Sequence, residues 1–175
     1  MRAHQRSLTS GPIFALSPRA TRPVHEERPL RGLTPNTPDM AQASTPHLLI
    51  VEDHPVFRRF LVSWLSRHYR VSSVASGIEA LRWLQSGEET DALLLDLDMP
   101  GVSGWQVAQN MRASGLFGAL PIVAMTAEAT AAVRERAAGL RVAEVFSRPY
   151  RPNDVLRALA EATGRRPAVP LRQAA

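Results

Sequence analysis

The sequence predicts an α/β fold in which helices cover both faces of a parallel sheet. Short apolar segments alternate with longer segments of helical periodicity, and five such pairs fit between residues 47 and 164. Two of the apolar segments, 47–52 (HLLIVE) and 92–95 (ALLL), run almost without a polar residue up to an acidic one. Such runs are typical of parallel strands that are buried on both faces.

Each predicted element follows from a local pattern. Strands are predicted over 47–52, 69–75, 92–95, 121–125 and 142–146. Helices are predicted over 55–68, 76–86 and 130–140, around Val107 and Met111, and in a last segment with Val155, Leu156, Leu159 and Ala162. The first helix should bury one apolar face, made of Val56, Phe60, Leu61, Trp64 and Leu65. Asn153 or Asp154 is predicted to cap the last helix.

The chain of 175 residues is predicted to hold one domain, at 47–164, between two disordered tails. Residues 1–46 are rich in Pro, Thr, Ser and Arg and lack apolar periodicity, and 165–175 is short and basic. Met40 is a second candidate for the first residue of the protein. No apolar run approaches the roughly 18 residues of a membrane span or the roughly 7 of a secretory signal, so a cytoplasmic protein without membrane contact is expected.

The charge distribution argues against nucleic-acid binding by the predicted domain. Residues 1–46 hold six arginines and three acids, 47–164 hold twelve and thirteen, and 165–175 hold three and none. The net charge of +5 therefore lies in the tails, and the domain lacks the basic excess of a nucleic-acid binder. The absence of cysteine excludes disulfides, thiolate metal sites and cysteine nucleophiles. All 21 basic residues are arginine.

Chemically versatile side chains follow the predicted strands. The strand ends carry, in chain order, Glu52 and Asp53, then Asp96 with Asp98 two residues on, then Thr126, then Arg148. In an open parallel sheet the carboxyl ends of the strands form the ligand-binding edge, so these groups should converge there. Clustered carboxylates repel one another, and Mg²⁺ with oxygen ligands is the simplest way to hold them together. A carboxylate can accept a phosphoryl group covalently, and a hydroxyl and an arginine suit its remaining oxygens.

Four segments carry a resemblance to a known family. LLIVEDHP, LLLDLDMPGVSGWQV, PIVAMTAEA and FSRPYRPNDV resemble, in order and spacing, the response-regulator receiver family of two-component signalling, over about residues 47–163. The resemblance implies a flavodoxin-like fold with strand order 2-1-3-4-5. It also implies a stand-alone response regulator that takes a phosphoryl group from a sensor histidine kinase or a histidine phosphotransfer protein. Such a module is a switch with at most self-catalysed phosphorylation and dephosphorylation, and not an enzyme.

The resemblance also assigns roles to the strand-end residues. Asp96 matches the phosphoacceptor, and Thr126 matches the switch hydroxyl. Glu52 and Asp53 match the acidic pair that holds Mg²⁺, with Asp53 the better candidate for direct contact, and the backbone carbonyl of Asp98 would complete the protein ligands. Glu52 could instead be an acid beside the ligands. The side chains of Asp98 and Glu128 would flank the mouth of the site, where they are hypothesised to tune donor access and hydrolysis.

Two positions depart from the family pattern. Arg148 stands where the family usually has lysine, before Pro149, whose peptide bond is often cis. Val145 stands where an aromatic residue often reports the switch, and the neighbouring Phe146 should point to the opposite face of the strand. Output is predicted through a downstream protein target, with possible dimerisation through helix 4, strand 5 and helix 5. There, Arg134, Arg136, Glu144 and Arg157 could make polar contacts.

Two alternatives stay open at this stage. The Arg148 and Val145 departures would also suit a pseudo-receiver, an adaptor that binds partners without phosphorylation. The segment Asp96-Leu97-Asp98 also resembles the first motif of haloacid-dehalogenase-like phosphatases, although this chain lacks lysine and has no acidic pair after Thr126. A DNA-binding regulator is disfavoured because no helix-turn-helix segment follows residue 164.

Overall fold

A computed structural model describes residues 45–115 and 117–164. Along these residues five strands alternate with five helices: β1 (His47–Val51), α1 (Pro55–Leu65), β2 (Arg70–Val74), α2 (Gly77–Ser86), β3 (Ala92–Asp96), α3 (Gly104–Ala113), β4 (Ile122–Thr126), α4 (Ala131–Gly139), β5 (Glu144–Ser147) and α5 (Pro152–Thr163). The predicted disordered tails, apart from residues 45 and 46, lie outside the described residues.

The five strands form one parallel sheet in the order β2-β1-β3-β4-β5. The predicted fold class and strand order are therefore confirmed. Each of the three central strands, β1, β3 and β4, is buried along its whole length. This burial accounts for their continuously apolar sequences, because a central parallel strand meets helices on both faces.

Alternate strand residues divide the core between the two faces of the sheet. On the first face, α2, α3 and α4 cover Leu49, Leu93 and Ala124. On the second face, α1 and α5 cover Leu48, Leu94 and Val123. The two faces follow from the two-residue period of a strand. None of the helices in the described ranges is long and apolar enough to span a bilayer.

The first helix is shorter than predicted, and its buried face is narrower. It ends at Leu65, where residues 66–68 form a turn, although the pattern predicts a helix to residue 68. Leu61 and Leu65 are buried as predicted, but Val56 is 58% exposed and Phe60 is 50% exposed. The apolar arc of α1 is wider than the strip that the sheet covers. Phe60 instead stacks on Trp64, with 6.4 Å between ring centroids.

The predicted cap of the last helix is wrong. α5 begins at Pro152, and the capping position is Arg151, which makes no side-chain capping bond. Proline suits the first helical position because its fixed φ matches the helix and it has no N–H to satisfy. The helix therefore starts before Asn153 and Asp154. Asp154 lies in the first turn, where the helix dipole stabilises a negative charge. Its carboxylate also pairs with Arg157 at 3.3 Å.

Arg112 of α3 joins two loops, the one that leads into β4 and the one that leads into β5. Its guanidinium donates to five backbone carbonyls, those of Phe117, Gly118, Leu120, Leu140 and Arg141, at 2.7–3.3 Å. Two of these carbonyls lie at the C-terminal end of α4, where the helix dipole also stabilises a positive charge.

We expect Arg112→Met to lower the free energy of unfolding by about 2–4 kcal/mol, because several carbonyls lose a charged donor together. Urea unfolding measures the change. Arg59→Met, on the exposed side of α1, is the matched control and should stay within about 0.5 kcal/mol of the wild type. An Arg112→Met effect as small as that of the control would contradict this role.

Candidate functional site

The predicted site residues lie at the carboxyl edge of the sheet. β1 and β3 are neighbours, and Val51 pairs with Leu95, so Glu52 and Asp53 follow β1 beside Asp96 at the end of β3. β1 is also the strand at which the chain order of the sheet reverses, since β2 lies on one side of it and β3 on the other. Such a reversal opens a crevice between the connections that leave in opposite directions.

Three carboxylates meet in this crevice. One oxygen from each of Glu52, Asp53 and Asp96 lies within 4.8 Å of the other two. Glu52 and Asp96 are buried, whereas Asp53 is partly exposed. Arg58 of α1 fixes the backbone beneath them, because its Nη1 donates to the carbonyls of Glu52 at 2.7 Å and Asp53 at 3.2 Å.

The side chain of Glu52 is only half satisfied. Its Oε1 accepts a hydrogen bond from the backbone N–H of His54 at 3.2 Å, while its buried Oε2 has no hydrogen-bond partner within the described part of the chain. Burial, followed by the negative charge of Asp96, raises the pKa of Glu52 from 4.5 to about 7. When the Glu52 carboxyl is ionised, the described residues therefore compensate its negative charge only in part.

The cluster fits a divalent cation. Its donors are carboxylate oxygens, which hard ions such as Mg²⁺ prefer, and the buried Oε2 of Glu52 has a free lone pair to offer. Both readings of Glu52 from the sequence, ligand or neighbouring acid, fit its position.

Arg148 brings a positive charge to the acceptor carboxylate. Its Nη2 lies 2.5 Å from Oδ2 of Asp96, without the alignment of a hydrogen bond, and its Nε likewise has no aligned partner in the residues described. The Arg148 side chain is about one-third exposed, whereas that of Asp96 is 2% exposed. The guanidinium carbon also lies 5.6 Å from the centre of the Phe57 ring. The Arg148–Pro149 peptide bond is cis.

The side chain of Asp98 reaches Thr126, a contact that the sequence analysis missed. Its Oδ2 accepts hydrogen bonds from the hydroxyl of Thr126 at 2.8 Å and from the N–H of Ala127 at 2.6 Å. The backbone N–H of Asp98 donates to Oδ1 of Asp96 at 3.0 Å. Asp98 and Glu128 are both exposed, as placement at the mouth requires. No periodic pattern signals this bond, since it joins a loop residue to a strand-end residue 28 positions further along the chain.

Val145 and Phe146 lie on opposite faces of β5, as the alternation predicts. Val145 is buried with α2, α3 and α4, and Phe146 packs on the α1 and α5 face. There Phe146 meets Tyr150, with 6.3 Å between ring centroids, and Tyr150 meets Phe57 at 6.2 Å. The Tyr150 hydroxyl donates to the sulfur of Met125 at 3.2 Å. These three aromatic side chains, Phe57, Phe146 and Tyr150, therefore lie on the Arg148 side, on the face away from α4.

Gly104 allows α3 to begin directly against the acceptor loop. A Cβ atom there would lie 2.1 Å from the backbone oxygen of Asp96 and 2.8 Å from Cα of Leu97. Only glycine permits this close approach. Ser103 precedes it with a capping box, in which Ser103 and Gln106 satisfy each other's backbone N–H groups. The start of α3 thus fixes the loop that carries Asp96 and Asp98.

Fold and site define a class: an α/β domain with an acidic cluster, a hydroxyl and a cation at the switch point of a parallel sheet. A sequence model of the response regulator receiver domain matches residues 48–160. The chain belongs to this family, and it carries a receiver domain of two-component signalling.

Similar proteins occur in several settings. Over 103 residues the chain is 35% identical to the sensor histidine kinase RcsC of Salmonella typhimurium, which covers 58% of this chain and only 10% of the kinase. The two-component response regulator ORR11 of rice is 30% identical over 113 residues, 64% of this chain and 77% of that protein. The receiver domain of a Pseudomonas aeruginosa sensor kinase, solved with a magnesium ion in its active-site cleft, is 30% identical with a TM-score of 0.62, covering 69% of this chain and 99% of that one.

The pKa of Glu52 predicts a pH-dependent stability. Folding favours the protonated carboxyl, so its contribution is full below pH 4.5 and is lost as the pH rises through about 7. In EDTA at pH 8 we therefore expect Glu52→Gln to be more stable than the wild type by on the order of 2 kcal/mol, with little difference at pH 4.5. Urea unfolding at both pH values measures this.

Glu128→Gln, at an exposed acid near the same mouth, should show no such pH dependence. Adding Mg²⁺ at pH 8 should stabilise the wild type more than Glu52→Gln. A Glu52→Gln effect that is equal at both pH values would contradict the assignment of a buried, uncompensated carboxylate.

Proposed function

We propose that this chain is a phosphoacceptor switch in which Asp96 receives a phosphoryl group from a phosphohistidine. The observation that carries the proposal is the buried Asp96 carboxylate, which shares a crevice with two further carboxylates and is paired with Arg148. The donor would be a sensor histidine kinase or a histidine phosphotransfer protein. An oxygen of Asp96 would bond to phosphorus as the phosphorus–nitrogen bond breaks, and the imidazole would leave.

The acidic cluster supports Mg²⁺ as the cofactor. Asp53, Asp96 and Glu52 would hold it with their carboxylates, together with the backbone carbonyl of Asp98. When bound, Mg²⁺ would neutralise the incoming phosphoryl oxygens. Arg148 is placed to contact phosphoryl oxygens, because it already pairs with Asp96 and its Nε–H has no hydrogen-bond partner among the described residues.

The output would be protein–protein interaction. In this proposal Thr126 moves toward the phosphoryl group and changes a surface formed by α4, β5 and α5, which binds a downstream target or a second copy. Arg134 pairs with Glu144 at 3.8 Å, and Arg136 lies 4.2 Å over the Trp105 ring, so polar contacts with a partner would compete with contacts inside the chain. Hydrolysis of the aspartyl phosphate would restore Asp96 and release phosphate, so the protein is a switch and not an enzyme.

The same proposal covers cellular context. We propose that the domain acts in the cytoplasm and that its core binds neither membrane nor nucleic acid. The near-neutral charge of residues 47–164 supports the last point. The receiver-family match leaves the phosphatase alternative without support.

Phosphorylation by acetyl phosphate tests the function directly. With Mg²⁺, the wild type should form one phosphoryl adduct as acetate leaves, and Asp96→Asn should form none, because the amide is not a nucleophile. Intact mass spectrometry measures both. EDTA should abolish the adduct. An adduct of equal yield in Asp96→Asn would contradict the assignment of the acceptor.

Arg148 favours one second candidate function, the pseudo-receiver. Its planar group lies against Asp96 and is bulkier than the lysine usual in the family. If it blocks access, the protein would act as an adaptor whose partners bind without phosphorylation. No adduct with several donors would favour this candidate.

Variants of Arg148 separate the two candidates. For a working acceptor, Arg148→Lys keeps the charge and should change the phosphorylation rate by no more than about tenfold, whereas Arg148→Met should lower it by about a hundredfold. For a pseudo-receiver, the adduct should appear only in Arg148→Lys. The measurement is the initial rate with acetyl phosphate, with Arg59→Met as a surface control.

A further inference from the structure

The carboxylate of Asp98 holds two hydrogen-bond donors at the end of β4. One oxygen, Oδ2, accepts from the hydroxyl of Thr126 at 2.8 Å and from the N–H of Ala127 at 2.6 Å. We infer that this side chain is a latch that keeps Thr126 in the unphosphorylated position and must release it before Thr126 can reach a phosphoryl group on Asp96. The inference rests on the proposed function and adds a residue that controls its switch.

The latch follows from the single proton of a hydroxyl. The shortest contact of Thr126 Oγ1 is with Asp98, and the backbone N–H of Glu128 donates to the same Oγ1 at 3.3 Å. A contact with the Glu128 carbonyl, at 3.5 Å, is at the limit for a hydrogen bond. The proton therefore goes to Asp98. A phosphoryl oxygen on Asp96 can accept it only after Asp98 has let it go.

The side chain of Asp98 can rotate away from Thr126 while its backbone stays in place. Its backbone stays fixed, because its N–H donates to Oδ1 of Asp96, while its side chain is exposed and can turn into water. A phosphoryl group on Asp96 would add negative charge beside the Asp98 carboxylate, and the two would repel each other. The phosphoryl group would thus both displace the latch and compete for the Thr126 proton.

Release would free the junction between β4 and α4. Ala127 lies between Thr126 and the capping residue of α4, Thr130. Among the described residues of α4 only Ala137 is fully buried, and Val133 is partly buried against the core, so the apolar contact of this helix with the sheet is narrow. The two hydrogen bonds that Asp98 accepts add to the packing of Ala129 in holding the segment between β4 and α4. Losing them would change the position of α4, the surface to which the proposed function assigns output.

Three substitutions separate the latch from a plain charge effect. Asp98→Ala removes both the acceptor oxygen and the charge, and it keeps the backbone carbonyl assigned to the metal. Asp98→Asn removes the charge and keeps an acceptor oxygen. Glu128→Ala removes a charge from the same mouth, and the hydrogen bonds of Glu128 to Thr126 use its backbone alone.

The first readout is the amide of Ala127 in the full chain without divalent ions or phosphoryl donors. Nuclear magnetic resonance should show faster solvent exchange of this amide in Asp98→Ala than in the wild type, and protection close to the wild type in Asp98→Asn. Equal exchange in the wild type and Asp98→Ala would overturn the latch, whether or not the protein is phosphorylated.

The second readout is the affinity for beryllofluoride with Mg²⁺, as a non-covalent stand-in for the phosphoryl group. Asp98→Ala should bind it roughly three- to tenfold more tightly than Glu128→Ala, because it no longer has a charge-assisted bond to break. In a Thr126→Val background, this gain should shrink, as coupling through the hydroxyl requires. Equal affinities of Asp98→Ala and Glu128→Ala, or an undiminished gain without the Thr126 hydroxyl, would overturn the inference.

Failure of the proposed function and failure of the Asp98 latch give different experimental results. If the wild type and all variants neither bind beryllofluoride nor form an adduct, the proposed function is wrong and the regulatory role of the latch falls with it. If the wild type binds beryllofluoride and Asp98→Ala gains nothing, only the latch is wrong.

Discussion

The concentration of negative charge at the carboxyl edge of β1 and β3 is the constraint on which the rest of the site depends. Parallel pairing of these two strands brings one carboxylate oxygen of each of Glu52, Asp53 and Asp96 within 4.8 Å of the other two. Two of them are buried, so water screens their repulsion poorly. Arg148 and the amide of Asp98 each compensate part of the charge on Asp96. The Oε2 of Glu52, which has no hydrogen-bond partner among the described residues, leaves a place for a cation.

The site divides into two halves with different physical character. The half on β1 and β3 is buried and holds charge in a fixed geometry. At the end of β4, Thr126 is buried, but the carboxylate that holds it, that of Asp98, is exposed. Buried carboxylates that place charge, beside an exposed side chain that can rearrange, are what the proposed two-state switch requires. The Asp98 amide that reaches Asp96 connects the two halves.

The two departures from the family pattern lie toward opposite faces of the sheet. Arg148 lies near Phe57, and Phe57, Tyr150 and Phe146 form a chain of aromatic contacts on the α1 and α5 face. Val145, on the other face, offers no aromatic ring toward α4. Because position 145 is a valine, this chain lacks the aromatic side chain whose movement often reports the switch in the family. In the proposed switch, coupling to α4 would instead pass through other groups, such as the segment that joins Thr126 to α4.

The sequence by itself determined the fold class, the strand order implied by family resemblance and the strand-end residues, because apolar runs and strand ends are local patterns. It misjudged the width of the buried face of α1 and the start of α5, where packing area and Pro152 overrode periodicity. Only the tertiary structure decided that Asp98 holds Thr126 and that Arg148 lies against Asp96. Such contacts join side chains far apart in the chain, and their geometry is set by how neighbouring strands and loops pack, which no local pattern encodes.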